Sequence, residues 1–185
     1  MICRWKITRI CRNKGGYGSV EKRKTAPEIA VRPAVFEELP RINEIRRYVN
    51  DVHVAGRPDT FRPGFCRELE QVLYRRYETE NWNILAAVVN GKIAGFATVE
   101  YLDRPESPYN LARRMYHVEE FGVDPAFHRM GVATALVAYM KQDAARRGYP
   151  RIELDMWEFN QGALAFYENV GFQTYRRYME LWVEE

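Results

Sequence analysis

Cysteine and long apolar runs are the scarcest features of this 185-residue sequence. The three cysteines, Cys3, Cys11 and Cys66, have no paired spacing, so neither a disulfide framework nor a zinc site is expected. Apolar stretches such as 84–89 stay far below the roughly 20 residues that a membrane-spanning helix needs. We therefore expect a soluble protein of the reducing cytoplasm, with no metal and no membrane partner.

Apolar and aromatic residues are plentiful, at 46% and 14% of the chain, and they predict a single folded domain. Charge is unevenly placed, because residues 1–24 carry eight Lys or Arg and one acid. We interpret 1–28 as a basic flexible leader and 29–185 as the domain. Nucleic-acid binding by this leader is the alternative. We do not favour it, because aromatic and basic residues do not continue to alternate past Tyr17.

Hydrophobic periodicity from residue 29 onward alternates between strand-like and helix-like spacing. The breakers Gly and Pro at 53–65 and 102–115 predict loops. The predicted strands are 29–32, 82–89, 93–101, 116–123, 152–157 and 172–183, and the predicted helices are 39–52, 65–76, 133–147 and 161–170.

Asn90-Gly91 separates strands two and three and is the strongest local signal for a two-residue hairpin turn. These strands are therefore predicted to be antiparallel. The two strand and helix units that follow predict a mixed α/β sheet with helices on both faces, in which strands four and five run parallel.

The segment 121–133, FGVDPAFHRMGVA, is typical of a strand that opens through a turn into a helix. Pro125 lacks a main-chain donor and helps to end the strand, and Gly131 and Ala133 keep the turn free of large side chains. The first amides of a helix have no internal partner, and the helix dipole is positive there. Main chain alone can thus hold a pyrophosphate. An ordinary helix start remains the alternative for this motif taken alone.

The later segment 160–172, NQGALAFYENVGF, is typical of a helix that is capped by asparagine and ends at glycine. The two segments together resemble the acetyl-CoA signature of the GNAT superfamily of N-acetyltransferases, whose later helix reads Asn-x2-Ala-x3-Tyr-x3-Gly-Phe. The matching residues are Asn160, Ala163, Tyr167, Gly171 and Phe172. The resemblance covers the element order from residue 29 onward. It implies a mostly antiparallel sheet whose strands four and five splay apart.

The resemblance implies acetyl-CoA as co-substrate, with no metal. The family's phosphate turn reads (Arg or Gln)-x-x-Gly-x-(Gly or Ala), and this sequence has His128 at the first position, followed by Arg129. Because main-chain amides form most of such a cradle, we expect binding to survive this departure. The cofactor contacts that the resemblance implies are Phe121, Gly122, Val123, His128, Arg129, Met130, Gly131, Val132, Ala133, Thr134, Asn160 and Phe166.

Acetyl transfer to an amine requires a base, because an alkylammonium with a pKa of about 10.4 is protonated at neutral pH. Strand alternation predicts one face with His117, Glu119, Phe121 and Val123, and the other with Val118, Glu120 and Gly122. Measured back from the phosphate turn, His117 and Glu119 fall where similar family members carry their bases. We predict His117 as the base and Glu119 as the second candidate. Pairing with solvent or the Arg113-Arg114 region is the alternative.

Three further roles concern the thioester. Gly122 is interpreted as marking a bulge or a close approach, at which the strands splay and the cofactor enters. The Val123 amide is expected to polarise the thioester carbonyl. Tyr167, in the resemblance, gives its proton to the coenzyme A thiolate; a core aromatic is the alternative.

The acceptor stays open among peptide N-termini, protein lysines, polyamines and small antibiotic amines. We expect direct transfer in a ternary complex, with the 53–65 and 102–115 loops setting specificity and Asp59, Asp103 and Glu106 able to attract a cation. A ping-pong route through Cys66 lacks a histidine nearby in sequence. The other class of function is a non-catalytic acyl-CoA sensor or interaction module. We expect a monomer or a homodimer.

Overall fold

The computed structural model describes residues 28–183, so residues 1–27 of the predicted basic leader, with Cys3 and Cys11, lie outside the described part. Five strands and four α-helices lie within the described residues. Their bounds are β1 Ile29–Pro33, α1 Leu39–Gly56, α2 Arg67–Tyr77, β2 Trp82–Val89, β3 Lys92–Arg104, β4 Arg113–Val123, α3 Val132–Arg147, β5 Ile152–Leu154 and α4 Gln161–Asn169. None of the helices in residues 28–183 is both long and apolar enough to cross a membrane.

The sheet has the order β1-β2-β3-β4-β5, and only the β4–β5 pair is parallel. The predicted hairpin between β2 and β3 is confirmed. Asn90 and Gly91 have φ of 50° and 76°, the left-handed values that a type I′ turn needs at both central positions. This turn twists in the same sense as the strands, so local chemistry fixes the register of the central hairpin.

Helices cover both faces of the sheet, which confirms the predicted mixed α/β class. On one face α3 buries Leu136 and Met140 against strand residues such as Val118. On the other face α1 and α2 bury Ile45 and Leu73 against Phe96. Because both faces are covered, β2 and β3 are nearly continuous apolar runs without a polar side.

The predicted final strand at 172–183 is wrong: this segment is irregular and forms no ladder with β5. The strand β5 is also shorter than predicted, ending at Leu154. A strand needs a neighbouring edge to pair with, and apolar alternation in the sequence does not supply one.

Both predicted specificity loops are shorter than expected. The helix α1 continues through Gly56, so the first loop begins at Arg57. A Cβ on Gly56 would lie 2.2 Å from the Phe159 ring, so this glycine allows an aromatic side chain to approach the helix and does not break it. The second loop spans only 105–112, because β3 and β4 pair out to Arg104 and Arg113.

Candidate active site

A tight turn joins the end of β4 to α3. Asp124 begins a 3-10 turn at Pro125–Phe127, where its side chain accepts a hydrogen bond from the Ala126 amide at 2.8 Å. Arg129 and Gly131 follow with left-handed φ of 63° and 88°, and α3 starts at Val132. The turn therefore lies between the end of β4 and the start of α3, as the sequence motif predicted.

Main-chain amides around this turn are free to bind an anion. The amides of Arg129, Gly131, Val132, Ala133 and Thr134 donate to no acceptor within residues 28–183. The Met130 amide differs, since it makes a long bond of 3.4 Å to the Phe127 carbonyl. Several convergent donors at the positive end of a 16-residue helix fit a pyrophosphate group.

His128 turns back toward β4. Its Nε2 lies 3.0 Å from the Val123 carbonyl oxygen, and its ring packs edge-on against Tyr48 at 6.1 Å. The His128 side chain therefore shapes the junction between β4 and the turn, while Arg129 carries the charge of this segment.

The strands β4 and β5 pair only at Tyr116–Val118 and Ile152–Leu154, so they splay apart beyond Val118. Val123 pairs with Gly95, and the following Asp124 amide donates to the Ala94 carbonyl at 2.9 Å. Because bonded and non-bonded pairs alternate in an antiparallel ladder, the main-chain groups of Phe121 and Val123 point away from β3, into the gap. An extended ligand can pair with this free edge as an additional strand.

A β-bulge at Glu119 overturns the predicted faces of β4. Thr98 pairs with Glu120, but the next residue of β3, Val99, pairs with Val118, which leaves Glu119 without a partner. One extra residue reverses the alternation of side chains beyond it. Phe121 and Val123 thus lie on the α3 face with Val118, whereas His117 and Glu119 lie with Glu120 on the opposite face, toward α1 and α2.

Of the two interpretations of Gly122, a bulge or a close approach, the structure shows a close approach by neighbouring side chains, and the bulge lies at Glu119. A Cβ at this position would lie 2.7 Å from Phe96 Cε1 and 2.8 Å from Val49 Cγ2. Glycine is therefore required there because α1 packs closely against β4, and its main chain pairs with β3.

Five charged or titratable side chains form a continuous chain beneath the bulge. Arg46, which is 5% exposed, donates to Glu120 with Nε at 2.5 Å and Nη2 at 2.9 Å. Arg76 donates to Glu120 with one nitrogen and to Glu119 Oε1 with the other, at 3.1 Å. Glu119 Oε2 lies 3.2 Å from His117 Nε2. The candidate base is thereby connected to a buried arginine of α1.

These contacts shift the pKa values of His117, Glu119 and Glu120 so that the charged form of each is favoured. The hydrogen bond to Glu119 raises the pKa of His117 above its usual value, against the effect of burial. The same hydrogen bond, with the nearby charge of Arg76, lowers the pKa of Glu119. Burial opposes ionisation of Glu120, yet Arg46 and Arg76 together hold its pKa below the usual value. Both carboxylates are therefore ionised at neutral pH.

Tyr167 lies on the α3 face beside the gap. Its ring meets Phe121 edge-on at 6.1 Å and Phe172 at 5.5 Å, and Phe166 stacks against Phe121 at 6.1 Å. Burial raises the pKa of Tyr167 to about 12, so its phenol stays protonated at neutral pH. The helix that carries it is capped as predicted, because Asn160 Oδ1 accepts from the Ala163 amide at 3.1 Å.

Aromatic side chains from the end of α1, the loop after it and the segment after β5 form a cluster. His53 stacks on Phe61 at 5.2 Å, Phe61 meets Trp157 edge-on at 5.2 Å, and Phe159 packs beside His53 at 6.2 Å. The predicted cation-attracting acid Asp59 is already paired with Arg57, which lowers the pKa of Asp59 to about 2.

The supporting side chains Arg46 and Glu120 were not predicted as part of the site. A signal existed for Arg46, which interrupts the apolar stripe of α1 at a core-facing position, four residues after Ile42 and three before Val49. A charged residue on such a stripe requires a buried partner. The partner lies 74 residues away, beyond the reach of any local pattern.

Comparison with known proteins agrees with this geometry. The model of the Acetyltransferase (GNAT) family matches residues 50–172. An acetyltransferase of Pectobacterium atrosepticum is 30% identical over 118 residues, which are 64% of this chain and 75% of that protein. The ribosomal protein bS18-alanine N-acetyltransferase of Escherichia coli is 31% identical over 90 residues, 48% of this chain and 54% of that protein, so the matched part is about half of that relative.

Among solved structures, the crystal structure of a mutant of the BH1408 protein from Bacillus halodurans superposes with a TM-score of 0.80. The two chains are 22% identical, and the match covers 84% of this chain and 99% of the other. At this level of identity the likeness concerns the fold alone. The family match spans the candidate base His117, the turn before α3 and the helix α4 that carries Tyr167. The chain therefore belongs to the GNAT acetyltransferase family.

Proposed function

We propose that this protein transfers the acetyl group of acetyl-CoA to a primary amine by direct attack in a ternary complex. One observation carries the proposal: β4 and β5 separate beyond Val118, the amides of the turn that follows β4 are free, and the Tyr167 ring contacts Phe121 of the same strand. Acetyl transfer to amines is the general reaction of the family to which the chain belongs.

The residues present fit the co-substrate. The main-chain amides of Arg129 and of Gly131 to Thr134 offer five uncharged hydrogen-bond donors to a pyrophosphate. The edge of β4 offers the main-chain groups of Phe121 and the Val123 amide to an amide-containing arm, whereas the Val123 carbonyl already contacts His128 Nε2 at 3.0 Å. When bound there, acetyl-CoA supplies the acetyl group as an activated thioester. The Val123 amide is the donor that we assign to its carbonyl oxygen.

His117 acts as the base in this proposal. Its raised pKa makes it a stronger proton acceptor than an ordinary histidine, and the ionised Glu119 stabilises the imidazolium that forms. Arg76 keeps Glu119 ionised and holds it at the bulge. The lowered pKa of Glu119 makes it the weaker acceptor of the two, which favours His117 as the direct base.

Tyr167 acts on the leaving thiolate. A phenol with a pKa of about 12 is protonated throughout the neutral range and can donate a hydrogen bond from within the apolar cluster of Phe121 and Phe172. A thiolate in the same apolar surroundings is also poorly solvated. The proton of Tyr167 therefore has a strong acceptor at the moment when the thioester bond breaks.

Release of coenzyme A thiol from acetyl-CoA tests the proposal against a panel of amines. The panel contains a peptide with N-terminal alanine, a peptide with internal lysine, a polyamine and an aminoglycoside. The alanine peptide is included because the E. coli relative is named for alanine acetylation of a ribosomal protein. We expect thiol release with at least one amine and mass-spectrometric gain of one acetyl group on it. Tight acetyl-CoA binding without release for any amine would favour a sensor.

Initial-rate kinetics distinguish direct transfer from a covalent route. Direct transfer predicts intersecting reciprocal plots when both substrates are varied, and full activity in Cys66→Ser. Parallel plots together with an inactive Cys66→Ser would contradict the ternary complex and indicate an acetyl-cysteine intermediate.

A further inference from the structure

The C-terminal segment, residues 172–183, exposes six large apolar side chains. Its large side chains are 68% to 95% exposed, whereas isolated exposed apolar residues are common on any protein. They are Tyr175, Tyr178, Met179, Leu181, Trp182 and Val183. Six such residues fall within nine positions, and clustered exposed apolar residues mark sites of association.

The sequence of this segment is that of a strand, but its own chain gives it little to pair with. The strand β5 has only three residues, too few for a partner of twelve. The body holds the segment by side chains instead: the Tyr175 hydroxyl donates to Glu153 at 3.1 Å, and Arg57 pairs with Glu180 at 3.0 Å. These tethers place the segment along the surface with its apolar side chains in solvent.

We propose that the C-terminal segment pairs antiparallel with the same segment of a second copy of this chain, about a two-fold axis at Tyr178. In this register Arg176 of each copy lies opposite Glu180 of the other, and Tyr175 lies opposite Leu181. A two-fold axis makes every contact twice, so the dimer contains two Arg176–Glu180 pairs and two Tyr175–Leu181 pairs. A register shifted by two residues places Arg176 opposite Tyr178 and loses the charge pairs.

Charge and exposed apolar surface both favour a second copy as the occupant. The segment carries two arginines and one glutamate, so it is complementary to itself in this register. Glu180 is 60% exposed at its side chain, and it therefore retains room for a second arginine beside Arg57. Three exposed aromatic side chains per copy add apolar surface that contact with a second copy can cover.

Charge reversal tests the register in the full-length chain, with the dimer dissociation constant measured by sedimentation equilibrium. Arg176→Glu leaves the Arg57–Glu180 pair intact and places two carboxylates opposite each other, so it should weaken the dimer roughly tenfold. The control Arg177→Glu makes the same change of net charge at a position opposite Met179 and should have a much smaller effect. Adding Glu180→Arg to Arg176→Glu should restore association.

Cysteine crosslinking tests the axis independently. In full-length protein whose three cysteines are replaced by serine, Tyr178→Cys should form a disulfide-linked dimer on mild oxidation. Arg176→Cys should not, because its two sulfurs would be separated by four residues along the strands, about 13 Å. That separation exceeds the roughly 7 Å limit between Cα atoms of a disulfide.

A wild-type chain that stays monomeric at all concentrations measured would overturn the proposal, whether the segment then folds against its own β5 or binds a different protein. Equal weakening by Arg176→Glu and Arg177→Glu, without restoration in the double variant, would overturn the register. These measurements do not involve acetyl transfer, so they stand or fall separately from the proposed function.

Discussion

At the scale of single residues, the candidate base is defined by its partner. His117 and Glu119 are 3.2 Å apart, and each moves the pKa of the other in the direction that favours an ion pair. Tyr167 has the opposite surroundings, an apolar cluster that keeps its phenol protonated. His117 and Tyr167 therefore have opposite environments on opposite faces of β4, as the proposed base and acid require.

Glu119→Gln should shift the acid limb of the pH profile of kcat/KM to lower pH. A neutral His117 is needed as the base, so the limb reports its pKa. Removing the carboxylate removes the main cause that raises this pKa. The maximal rate should fall as well, because the imidazolium loses its counter-charge. A limb that does not move in Glu119→Gln, or that persists in His117→Gln, would assign the titration to another group.

Tyr167→Phe should lower turnover by roughly a hundredfold, the usual scale for losing a general acid. The affinity for coenzyme A, measured by calorimetry, should stay nearly unchanged because the ring and its packing remain. Tyr77→Phe removes a hydroxyl from a tyrosine of α2 that is 40% exposed and lies outside both predicted specificity loops, so it serves as the matched control. Unchanged turnover in Tyr167→Phe at a saturating amine concentration would exclude the phenol as the acid.

At the scale of elements, two local departures from regular geometry build the site. The left-handed turn at Arg129 and Gly131 frees a set of amides before α3. The bulge at Glu119 turns His117 and Glu119 toward the arginines while Phe121 faces the tyrosine helix. A regular strand would place all of these side chains on one face, where the base and the apolar cluster would compete for the same space.

Gly131→Ala should weaken coenzyme A binding roughly tenfold, because the left-handed backbone at this position costs a residue with a Cβ about 1–2 kcal/mol. Relief of this strain would move the amides of the turn. Space is not limiting, since the nearest atom to the added Cβ is Ile29 Cδ1 at 3.7 Å. Calorimetric titration with coenzyme A measures the change.

Gly64→Ala is the control for this prediction. Gly64 has the same φ of 88° and nothing within 4 Å of an added Cβ, but it lies in the loop before α2. The two variants should lose similar stability, and only Gly131→Ala should lose affinity. Equal affinities for coenzyme A in both variants would contradict a role of the Gly131 turn in cofactor binding.

The parts of the fold that could be predicted are those whose signals are contiguous in the chain. Asn90-Gly91 indicated the hairpin, Asn160 indicated the cap of α4, and the small residues of the turn indicated free amides at the start of α3. The bulge was missed because it depends on how β3 and β4 pair, which no single strand records. The final strand was predicted from its apolar residues, yet its formation depends on a neighbouring edge.

At the scale of the whole molecule, the buried charges connect both helices of one face to the strand that carries the base. Arg46 belongs to α1, Arg76 to α2 and Glu120 to β4. The Arg46 guanidinium also donates to Asn43 at 2.7 Å and to the Leu69 carbonyl at 2.8 Å. The bulge is therefore fixed by the tertiary packing of three elements.

Glu120→Gln should reduce the free energy of unfolding by about 3 kcal/mol, because it leaves the buried Arg46 charge without its carboxylate. Denaturant titration at neutral pH measures this loss. The control Glu70→Gln breaks an exposed pair with Arg47 and should cost less than about 1 kcal/mol. Similar losses in the two variants would contradict a supporting role for the buried charges.

The buried pair of Arg46 and Glu120 also predicts a pH dependence of stability. The folded-state pKa of Glu120 is lowered, so its contribution is fully present above the unfolded pKa of about 4.3 and is lost as the pH falls below it. The difference in stability between the wild type and Glu120→Gln should therefore shrink in acid. A difference that stays constant down to the acid transition would indicate a cause other than this ionisation.

Residues that are neighbours in the chain were sufficient to specify the family, the order of the elements from β1 to α4 and the position of the turn between β4 and α3. Folding added what they could not: the face of β4 that carries His117 and Glu119, and the arginines that support them. It also left the C-terminal segment outside the sheet. These outcomes depend on pairing and burial between distant residues, and an amino acid's own preferences do not specify its distant partners.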